Sequence, residues 1–291
     1  MHRRTFLFGM CSSAIWAQGE TPVSLKGGGG EEKGLHIQKV RYGFAIRNHT
    51  DKFIDAAQVS VYAPVAMCAT HQCAELHTTP VGQMDKDAIG NQTVSFTVER
   101  FAPRAITLIR IRADVLVGKV QESATGELGL FMRPDQWIQS DHPVIVKAAQ
   151  KIVTGRNETE KARSIYEWVS GHLKDTRDVR SNLGAVCAYL TGRGDCTESA
   201  VLFAALARAS GIPSRVCSGF LLNGRAILTP AQHHNWAEFH DGKRWRLADP
   251  NQAHFCDQEE RYMTVQIWSA GLEKIGFVRT GCEALDVRML G

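Results

Sequence analysis

Three residues of this sequence, Cys196, His234 and Asp249, have the types and the order of a nucleophile, a base and an acid that orients the base. Cys196 stands shortly before an apolar run over residues 199–213, which predicts a buried helix. A thiol at a helix N-terminus is favoured as the thiolate, because unsatisfied N–H groups and the positive end of the helix dipole lie there. A histidine held by a carboxylate can take and return the proton of such a thiol. The three residues therefore predict nucleophilic chemistry on a carbonyl group.

The turn between His234 and Asp249 decides whether their side chains can meet. Strand-like segments flank the Asp-Gly pair at residues 241–242, and Asp-Gly is a strong signal for a two-residue hairpin loop. A loop of that length would pair His240 with Lys243, and the same register would place His234 directly opposite Asp249 on one face. We therefore predict that the imidazole and the carboxylate contact each other.

The same register assigns the neighbouring residues. Asp241 would lie at the hairpin tip, roughly 20 Å from His234, and His233 would point to the opposite face, so neither is predicted to join the site. Trp236 shares the face of His234 and is the candidate substrate-binding residue. Packing in the core is the alternative for this tryptophan.

Further roles are predicted for residues near the thiol. The backbone N–H of Cys196 points out of the helix start and is predicted to form half of an oxyanion hole, with Tyr189 as the candidate second donor. Arg215 could bind a substrate carboxylate, but we expect it to form a structural hydrogen-bonded pair. Glu198 is expected to serve the first helical turn rather than to act as a general acid.

The elements that must hold these residues fall into two parts. Residues 35–118 alternate apolar and polar positions between turn-forming segments, which is typical of an antiparallel β-sandwich. Residues 136–291 combine helical periods with strand-like segments. The elements predicted there include helices over 143–152 and 158–173 and strands over 214–222, 234–240 and 243–248. The predicted fold class is α+β, an N-terminal β-sandwich domain followed by an α+β catalytic domain.

Composition and the N-terminal segment limit the partners and the location. The chain has 291 residues and a net charge of +4 without a long lysine and arginine cluster, so nucleic acid is not an expected partner. Residues 1–19 predict a signal peptide, in which Arg3-Arg4 opens either a twin-arginine or an ordinary secretion signal, and residues 20–34 predict a glycine-rich linker. No later apolar run reaches about 18 residues. We therefore expect a periplasmic or secreted protein that does not span the membrane.

Seven cysteines would remain after removal of the signal peptide, which holds one of the eight. In an oxidising compartment an odd count suggests one free thiol, for which Cys196 is the natural candidate, with the others able to form disulfides. Cys68, His71, Cys73 and His77 invite a zinc interpretation, but their spacing fits no common zinc module. A Cys68–Cys73 disulfide or separate side chains are favoured instead, so neither a metal nor a cofactor is expected.

The segments around the three candidate residues resemble the core of the transglutaminase-like superfamily, with its papain-like Cys-His-Asp set. The matching motifs are Gly-Asp-Cys-Thr-Glu at 194–198, Gly-Ile-Pro at 211–213, His-Asn-Trp-Ala-Glu at 234–238 and Asp-Pro at 249–250. The resemblance covers about residues 137–251 and implies that Cys196 is the nucleophile, His234 the base and Asp249 the orienting acid. His-Asn-Trp stands where the family more often has His-Ala-Trp. The N-terminal β-rich segment is similar, more loosely, to domains that precede such cores in exported bacterial members.

The expected activity is cysteine-dependent acyl transfer from an amide bond, in a peptide or at a glutamine side chain, through an acyl-thioester. Water or a lysine amine could release the same intermediate, and the resemblance to simple bacterial members favours hydrolysis, as in a protease or amidase. The expected partner is a protein or peptide substrate. The alternative is a non-catalytic binding module of the cell envelope that retains the fold, and the three filled positions count against it.

Overall fold

The computed structural model of the protein describes residues 35–120, 128–176, 184–268 and 276–291. The predicted signal peptide (1–19) and linker (20–34) lie outside these residues. Across the described ranges, no helix combines the length and the apolar character needed to cross a membrane.

The N-terminal part folds into an antiparallel β-sandwich, as its alternating pattern predicted. Its strands are β1 (His36–Asn48), β2 (Ile54–Ala63), β3 (His71–Thr79), β4 (Gln83–Lys86), β5 (Gln92–Phe101) and β6 (Ile106–Val117). One sheet contains β1, β6 and β3, and the other contains β2, β5 and β4. Val40, Tyr42 and Phe44 alternate along β1 and are buried between the sheets, because successive side chains of a strand point to opposite faces. The sequence pattern missed β3 and β4, whose largely exposed polar residues show no such alternation.

Four α-helices lie in the described part of the second half of the chain. They are α1 (Pro143–Ile152), α2 (Glu158–His172), α3 (Gly184–Thr191) and α4 (Cys196–Ala209). The first two agree closely with the predicted ranges, and Asn157 caps α2 by accepting a hydrogen bond from the N–H of Glu160. The prediction omitted α3. Helix α4 begins at Cys196, three residues before the apolar run from which it was predicted.

A short parallel pair of strands and a five-stranded antiparallel sheet accompany these helices. The pair is β7 (Lys174–Asp175) and β8 (Arg193–Gly194), and the sheet contains β9 (Ser214–Leu221), β10 (His233–His240), β11 (Trp245–Asp249), β12 (His254–Phe255) and β13 (Tyr262–Ile267). The strand order in the sheet is β12-β11-β10-β9-β13. This arrangement of helices and antiparallel strands confirms the predicted α+β fold class.

The five-stranded sheet is the middle of three layers. Apolar residues of α1, α2 and α4 pack on one of its faces, against Ala237 and Phe239 of β10 among others. Its other face packs on the sandwich, where Phe220 of β9 and Met263 of β13 join the apolar cluster of the sandwich strands. Because both faces are covered, β10 is buried from its second residue to its last.

Two strands from the C-terminal segment complete the sandwich. β14 (Val278–Thr280) pairs with β2, and β15 (Leu285–Met289) pairs with β1. Phe277 and Leu285 are buried in the apolar cluster of the sandwich. The sequence pattern assigned everything from residue 136 to residue 291 to the second domain. The pairing corrects this assignment for the two C-terminal strands, which lie along sheet edges of the first domain.

No disulfide joins the cysteines of the described residues. The disulfides that the cysteine count allowed, Cys68–Cys73 among them, are therefore not formed. The Sγ atom of Cys68 is buried and lies 3.1 Å from Nδ1 of His71 and 3.4 Å from Oγ1 of Thr264. Within the described ranges, no group of three or more histidine, cysteine or acidic side chains is placed to hold a metal ion. The zinc interpretation of the segment from Cys68 to His77 thus gains no support.

Candidate active site

Cys196 is the first residue of α4, and the turn before it sets that position. Asp195 is the N-cap residue, with Oδ1 accepting a hydrogen bond of 2.7 Å from the N–H of Thr197. Glu198 Oε2 accepts in return from the N–H of Asp195 at 3.2 Å, so a capping box is formed and the expected first-turn role of Glu198 is observed. Residue 194 must be glycine here, because a Cβ atom would lie 2.2 Å from Cβ of Glu198.

The β10–β11 hairpin has a different register from the predicted one. His240 pairs with Trp245, so the connection has four residues rather than two. Asp241 explains the longer loop, because its Oδ1 accepts hydrogen bonds from the N–H groups of residues 243 and 244, both at 2.9 Å. Asp241 also binds Arg246 at 3.2 Å and lies in the loop, away from the candidate site as predicted.

The register differs from the prediction by two residues, and this shift keeps His234 and Asp249 on the same face of the sheet. A shift by one residue would have separated them, since side chains alternate with a period of two. The two residues are therefore diagonal neighbours instead of a directly opposite pair. Nε2 of His234 lies 2.7 Å from Oδ2 of Asp249, and both side chains are buried.

His234 links the carboxylate to the thiol. Its imidazole hydrogen-bonds the side chain of Cys196 as well as Asp249. Since Asp249 occupies Nε2, the ring nitrogen left for the thiol is Nδ1. Cys196 itself is half-buried. The structure thus brings the three predicted residues into one continuous set of contacts, with the thiol at the accessible end.

These contacts set the protonation state of His234. Burial acts to lower the pKa of this imidazole, but the hydrogen bonds to Asp249 and Cys196 and the attraction of their charges prevail and raise it to about 10. The imidazolium is therefore the stable form at neutral pH. An imidazolium beside a cysteine favours the thiolate, which is the form that attacks carbonyl carbon.

Asp249 accepts four hydrogen bonds. Oδ1 accepts from the N–H groups of Asn251 and Gln252, both at 3.1 Å, in the turn that follows β11. Oδ2 accepts from His234 at 2.7 Å and from the hydroxyl of Tyr262 at 2.8 Å. Because every lone-pair direction of a carboxylate can take one donor, this set holds Asp249 as a buried acceptor in one orientation.

A second histidine stands on the far side of Tyr262. His254 is the direct cross-strand partner of Asp249 in the β11–β12 pair, and its Nδ1 lies 2.7 Å from Oη of Tyr262. Its Nε2 lies 3.5 Å from Nη1 of Arg261. His233, in contrast, packs its ring edge-on against Phe277 at 5.0 Å between ring centres. Among the described residues, neither of these histidines forms a hydrogen bond with Cys196.

A chain of buried hydrogen bonds on the helix-facing side of β10 connects this strand to the start of α4. Nε1 of Trp268 donates to Oγ of Ser218 at 2.7 Å, and that hydroxyl donates to Oδ1 of Asn235. Nδ2 of Asn235 then donates to Oγ1 of Thr197 at 2.8 Å. Asn235 follows His234 in sequence and Thr197 follows Cys196. The last hydrogen bond therefore joins the strand of the base to the helix of the thiol.

Trp236 has no exposed surface, and its ring stacks on the ring of His234 with 6.3 Å between centres. It also packs edge-on against Tyr262 at 4.9 Å. A fully buried side chain offers a substrate nothing to contact, so the predicted substrate-binding role of Trp236 is corrected to packing behind the histidine. Gly219, the cross-strand partner of His234, makes room for it, since a Cβ at residue 219 would lie 2.9 Å from Cη2 of Trp236.

The predicted oxyanion donors differ in their surroundings. The N–H of Cys196 lies at the first helical position, where no carbonyl of the helix can accept it. Among the described residues, no backbone carbonyl outside the helix accepts it either. The ring of Tyr189 instead lies in a partly exposed stack with Trp168 and His172. Nothing in that stack directs the Tyr189 hydroxyl to Cys196, so its role as second donor stays a prediction.

Arg215 forms the structural pair that was expected of it. Its guanidinium lies 2.7 Å from Oε2 of Glu238, its cross-strand partner, and both side chains are buried. The guanidinium also stacks over the ring of Trp245 at 4.1 Å. This pair links β9 to β10 at Glu238, four residues along the strand from His234. It is not placed to bind a substrate carboxylate.

Sequence reasoning missed Tyr262, His254 and the Thr197–Asn235 contact. For Asn235 a signal existed, because the sequence has a polar residue where the family more often has alanine. A polar side chain on a buried strand needs a hydrogen-bond partner, and the partner is Thr197. For Tyr262 and His254 no local pattern gave a signal, since both reach Asp249 through the packing of separate strands.

Known proteins resemble this chain in sequence over the core and in fold over most of its length. Residues 146–250 match the family described as the transglutaminase-like superfamily. The solved structure of a candidate cysteine protease from Cytophaga hutchinsonii has a similar fold, with a TM-score of 0.58 and 15% identity over 87% of this chain and 92% of that chain. The periplasmic domain of TgpA from Pseudomonas aeruginosa aligns with a TM-score of 0.41 and 14% identity over 76% of this chain and 88% of that chain. No curated protein matches the sequence.

Proposed function

We propose that this chain, whose residues 146–250 match the transglutaminase-like superfamily, is a cysteine hydrolase that cleaves an amide bond of a protein or peptide. The observation that carries the proposal is the unbroken contact from Cys196 at the start of α4 through His234 to the buried carboxylate of Asp249. The description of the Cytophaga hutchinsonii protein as a candidate cysteine protease agrees with it. The signal-like segment at residues 1–19 supports a location in the periplasm or outside the cell.

The first half of the proposed reaction forms a thioester. The Cys196 thiolate attacks the carbonyl carbon of the amide, a carbon–sulfur bond forms, and one electron pair of the C=O bond moves to oxygen. The N–H of Cys196, at the first position of α4, would donate to that oxyanion. The His234 imidazolium then gives its proton to the amide nitrogen. The oxyanion electron pair re-forms the C=O bond, the carbon–nitrogen bond breaks, and the amine leaves.

The second half restores the enzyme. Neutral His234 takes a proton from water, the hydroxide attacks the thioester carbonyl, and the carbon–sulfur bond breaks to return the thiolate and the imidazolium. Asp249 keeps the ring in one orientation and stabilises its charged form in both halves. A lysine amine in place of water would give transfer instead, and the similarity to simple bacterial members favours water.

The test of the nucleophile is alkylation of the mature chain with iodoacetamide, read residue by residue by mass spectrometry. We expect Cys196 in the wild type to react at least about tenfold faster than the half-buried Cys282, because only the former has an imidazolium partner. His234→Gln should bring Cys196 down to the rate of Cys282. Cys282→Ala is the matched control and should leave the Cys196 rate unchanged. Equal Cys196 rates in the wild type and His234→Gln would overturn the activated thiol.

The test of the reaction uses glutamine-containing peptides with and without an added primary amine. Hydrolysis predicts a shortened peptide or conversion of glutamine to glutamate, and neither product should depend on the amine. Covalent incorporation of the amine as the main product would replace hydrolysis by transfer. Absence of any product, together with an unreactive Cys196, would favour the alternative of a binding module.

A further inference from the structure

We infer that Tyr262 is a positioning residue of this site, whose hydroxyl holds the Asp249 carboxylate in the orientation that His234 requires. The inference rests on the proposed function and extends the working set beyond cysteine, histidine and aspartate. It is drawn from the contacts that converge on Oη of Tyr262. That oxygen lies 2.8 Å from Oδ2 of Asp249 and 2.7 Å from Nδ1 of His254.

The direction of these hydrogen bonds follows from the donors available. A guanidinium can only donate, so Arg261, 3.5 Å from Nε2 of His254, makes that nitrogen the acceptor. The remaining ring nitrogen, Nδ1, is then the donor to Oη of Tyr262. A tyrosine hydroxyl has one proton, and with its oxygen already accepting, that proton is directed to the carboxylate. Each group therefore donates to the next, from the half-buried Arg261 through His254 and Tyr262 to Asp249.

Tyr262 is well placed to keep this contact. Its side chain is fully buried, and Asp249 is 1% exposed, so the contact between them is shielded from bulk solvent. The ring packs edge-on against Trp236, which fixes it independently of the hydroxyl. Oδ2 is the one oxygen of Asp249 that His234 uses, and Tyr262 is the other donor to that same oxygen.

The hydroxyl therefore matters for the charge pair at the thiol. Without it, Oδ2 would keep His234 as its only donor, while the backbone N–H groups of the following turn would still hold Oδ1. The carboxylate could then rotate about its bond to Cβ and would support the imidazolium less well. A less stable imidazolium favours proton return to the thiol as the pH falls and loss of the ring proton as the pH rises. The pH range of the reactive pair would become narrower on both sides.

The experiment compares Tyr262→Phe with Tyr42→Phe in the mature chain. Tyr42 is the matched control, because its hydroxyl is also buried and donates a hydrogen bond, to the carbonyl of Tyr62 at 3.1 Å in the sandwich. The iodoacetamide rate at Cys196 is measured across pH, together with the thermal midpoint. For Tyr262→Phe we expect a rate at neutral pH about tenfold lower and both pH limbs moved inward. Tyr42→Phe should lose comparable stability and keep the wild-type profile.

Each outcome decides between the possibilities. Wild-type rate and pH limbs in Tyr262→Phe would overturn the positioning role, and so would an equal loss of rate in Tyr42→Phe, which would mark a general effect of lost stability. If Tyr262→Phe does not fold, His254→Leu is tested in its place, because it removes the donor to Oη of Tyr262 at a half-buried position. An unchanged pH profile of the Cys196 rate in His254→Leu would also overturn the role. If wild-type Cys196 itself reacts no faster than Cys282, the proposed function fails first, and the two failures are thereby distinguished.

Discussion

Asn235 donates a hydrogen bond of 2.8 Å from Nδ2 to Oγ1 of Thr197, and these two residues directly follow the proposed base and the proposed nucleophile. His234 and Asn235 point to opposite faces of β10, yet both contact the start of α4. The start of α4 is therefore attached to β10 by two contacts. One is the contact of Cys196 with His234, and the other, on the opposite face, is the hydrogen bond between Asn235 and Thr197. The separation of thiol and imidazole depends on both.

Replacement of Thr197 by valine should reduce the reactivity of Cys196. Valine has nearly the shape of threonine but cannot accept the hydrogen bond. Nδ2 of the buried Asn235 then loses its acceptor, and the start of α4 can move. We expect the iodoacetamide rate at Cys196 to fall roughly fivefold. Thr197→Ser keeps the hydroxyl and should stay close to the wild-type rate. Equal rates in the valine and serine variants would show that the hydrogen bond does not position the thiol.

The free energy of unfolding should depend on pH through His234. Its folded-state pKa of about 10 lies above the ordinary value of 6.5, so its stabilising contribution is complete below 6.5 and is lost as the pH rises through about 10. We expect the wild type to exceed His234→Gln in stability by a margin that shrinks across that interval. Urea unfolding of both proteins over this pH range measures the margin. A constant or growing margin would contradict the assigned imidazolium.

Loss of one partner of the Arg215–Glu238 pair should destabilise the core strongly. Arg215→Met leaves a buried carboxylate without its cation, which costs about 3–5 kcal/mol of unfolding free energy. The double variant with Glu238→Leu removes both charges and should recover much of that loss. Arg104→Met is the control, because the Arg104–Asp51 pair is exposed and contributes little. A single variant as stable as the double variant would contradict this assignment.

Gly194→Ala should disturb the helix start that presents Cys196. The added Cβ would lie 2.2 Å from Cβ of Glu198, so the capping box cannot keep its geometry. We expect the unfolding free energy to fall by at least about 1 kcal/mol, with a slower reaction of Cys196. Gly171→Ala is the matched control, since Gly171 lies in α2 with no atom within 4 Å of its added Cβ. Similar losses in the two variants would indicate a general sensitivity to alanine.

The sequence could predict the site because the decisive relationships there are local or periodic. Cys196 precedes an apolar helical run, and a strand period of two placed His234 and Asp249 on one face even though the loop length was wrong. The loop length could not be predicted, since Asp241 binds the N–H groups of residues 243 and 244 instead of allowing a tight turn. The burial of Trp236 and the contact of Tyr262 with Asp249 depend on how the third layer covers the sheet. No single segment of sequence contains that information.

The position of β14 and β15 shows that the α+β core, formed by the helices and the five-stranded sheet, is inserted within the sandwich in the order of the chain. Strands β1–β6 precede the core in the chain, whereas β14 and β15, which cover the edges of β2 and β1, follow it. During synthesis the edges of β1 and β2 therefore lack these partners until residues 278–289 have left the ribosome, and by then the whole core has been made. The site around Cys196 and the sandwich that supports its sheet should consequently reach their finished form together. A chain cut short before residue 278 would hold Cys196 on an unfinished scaffold.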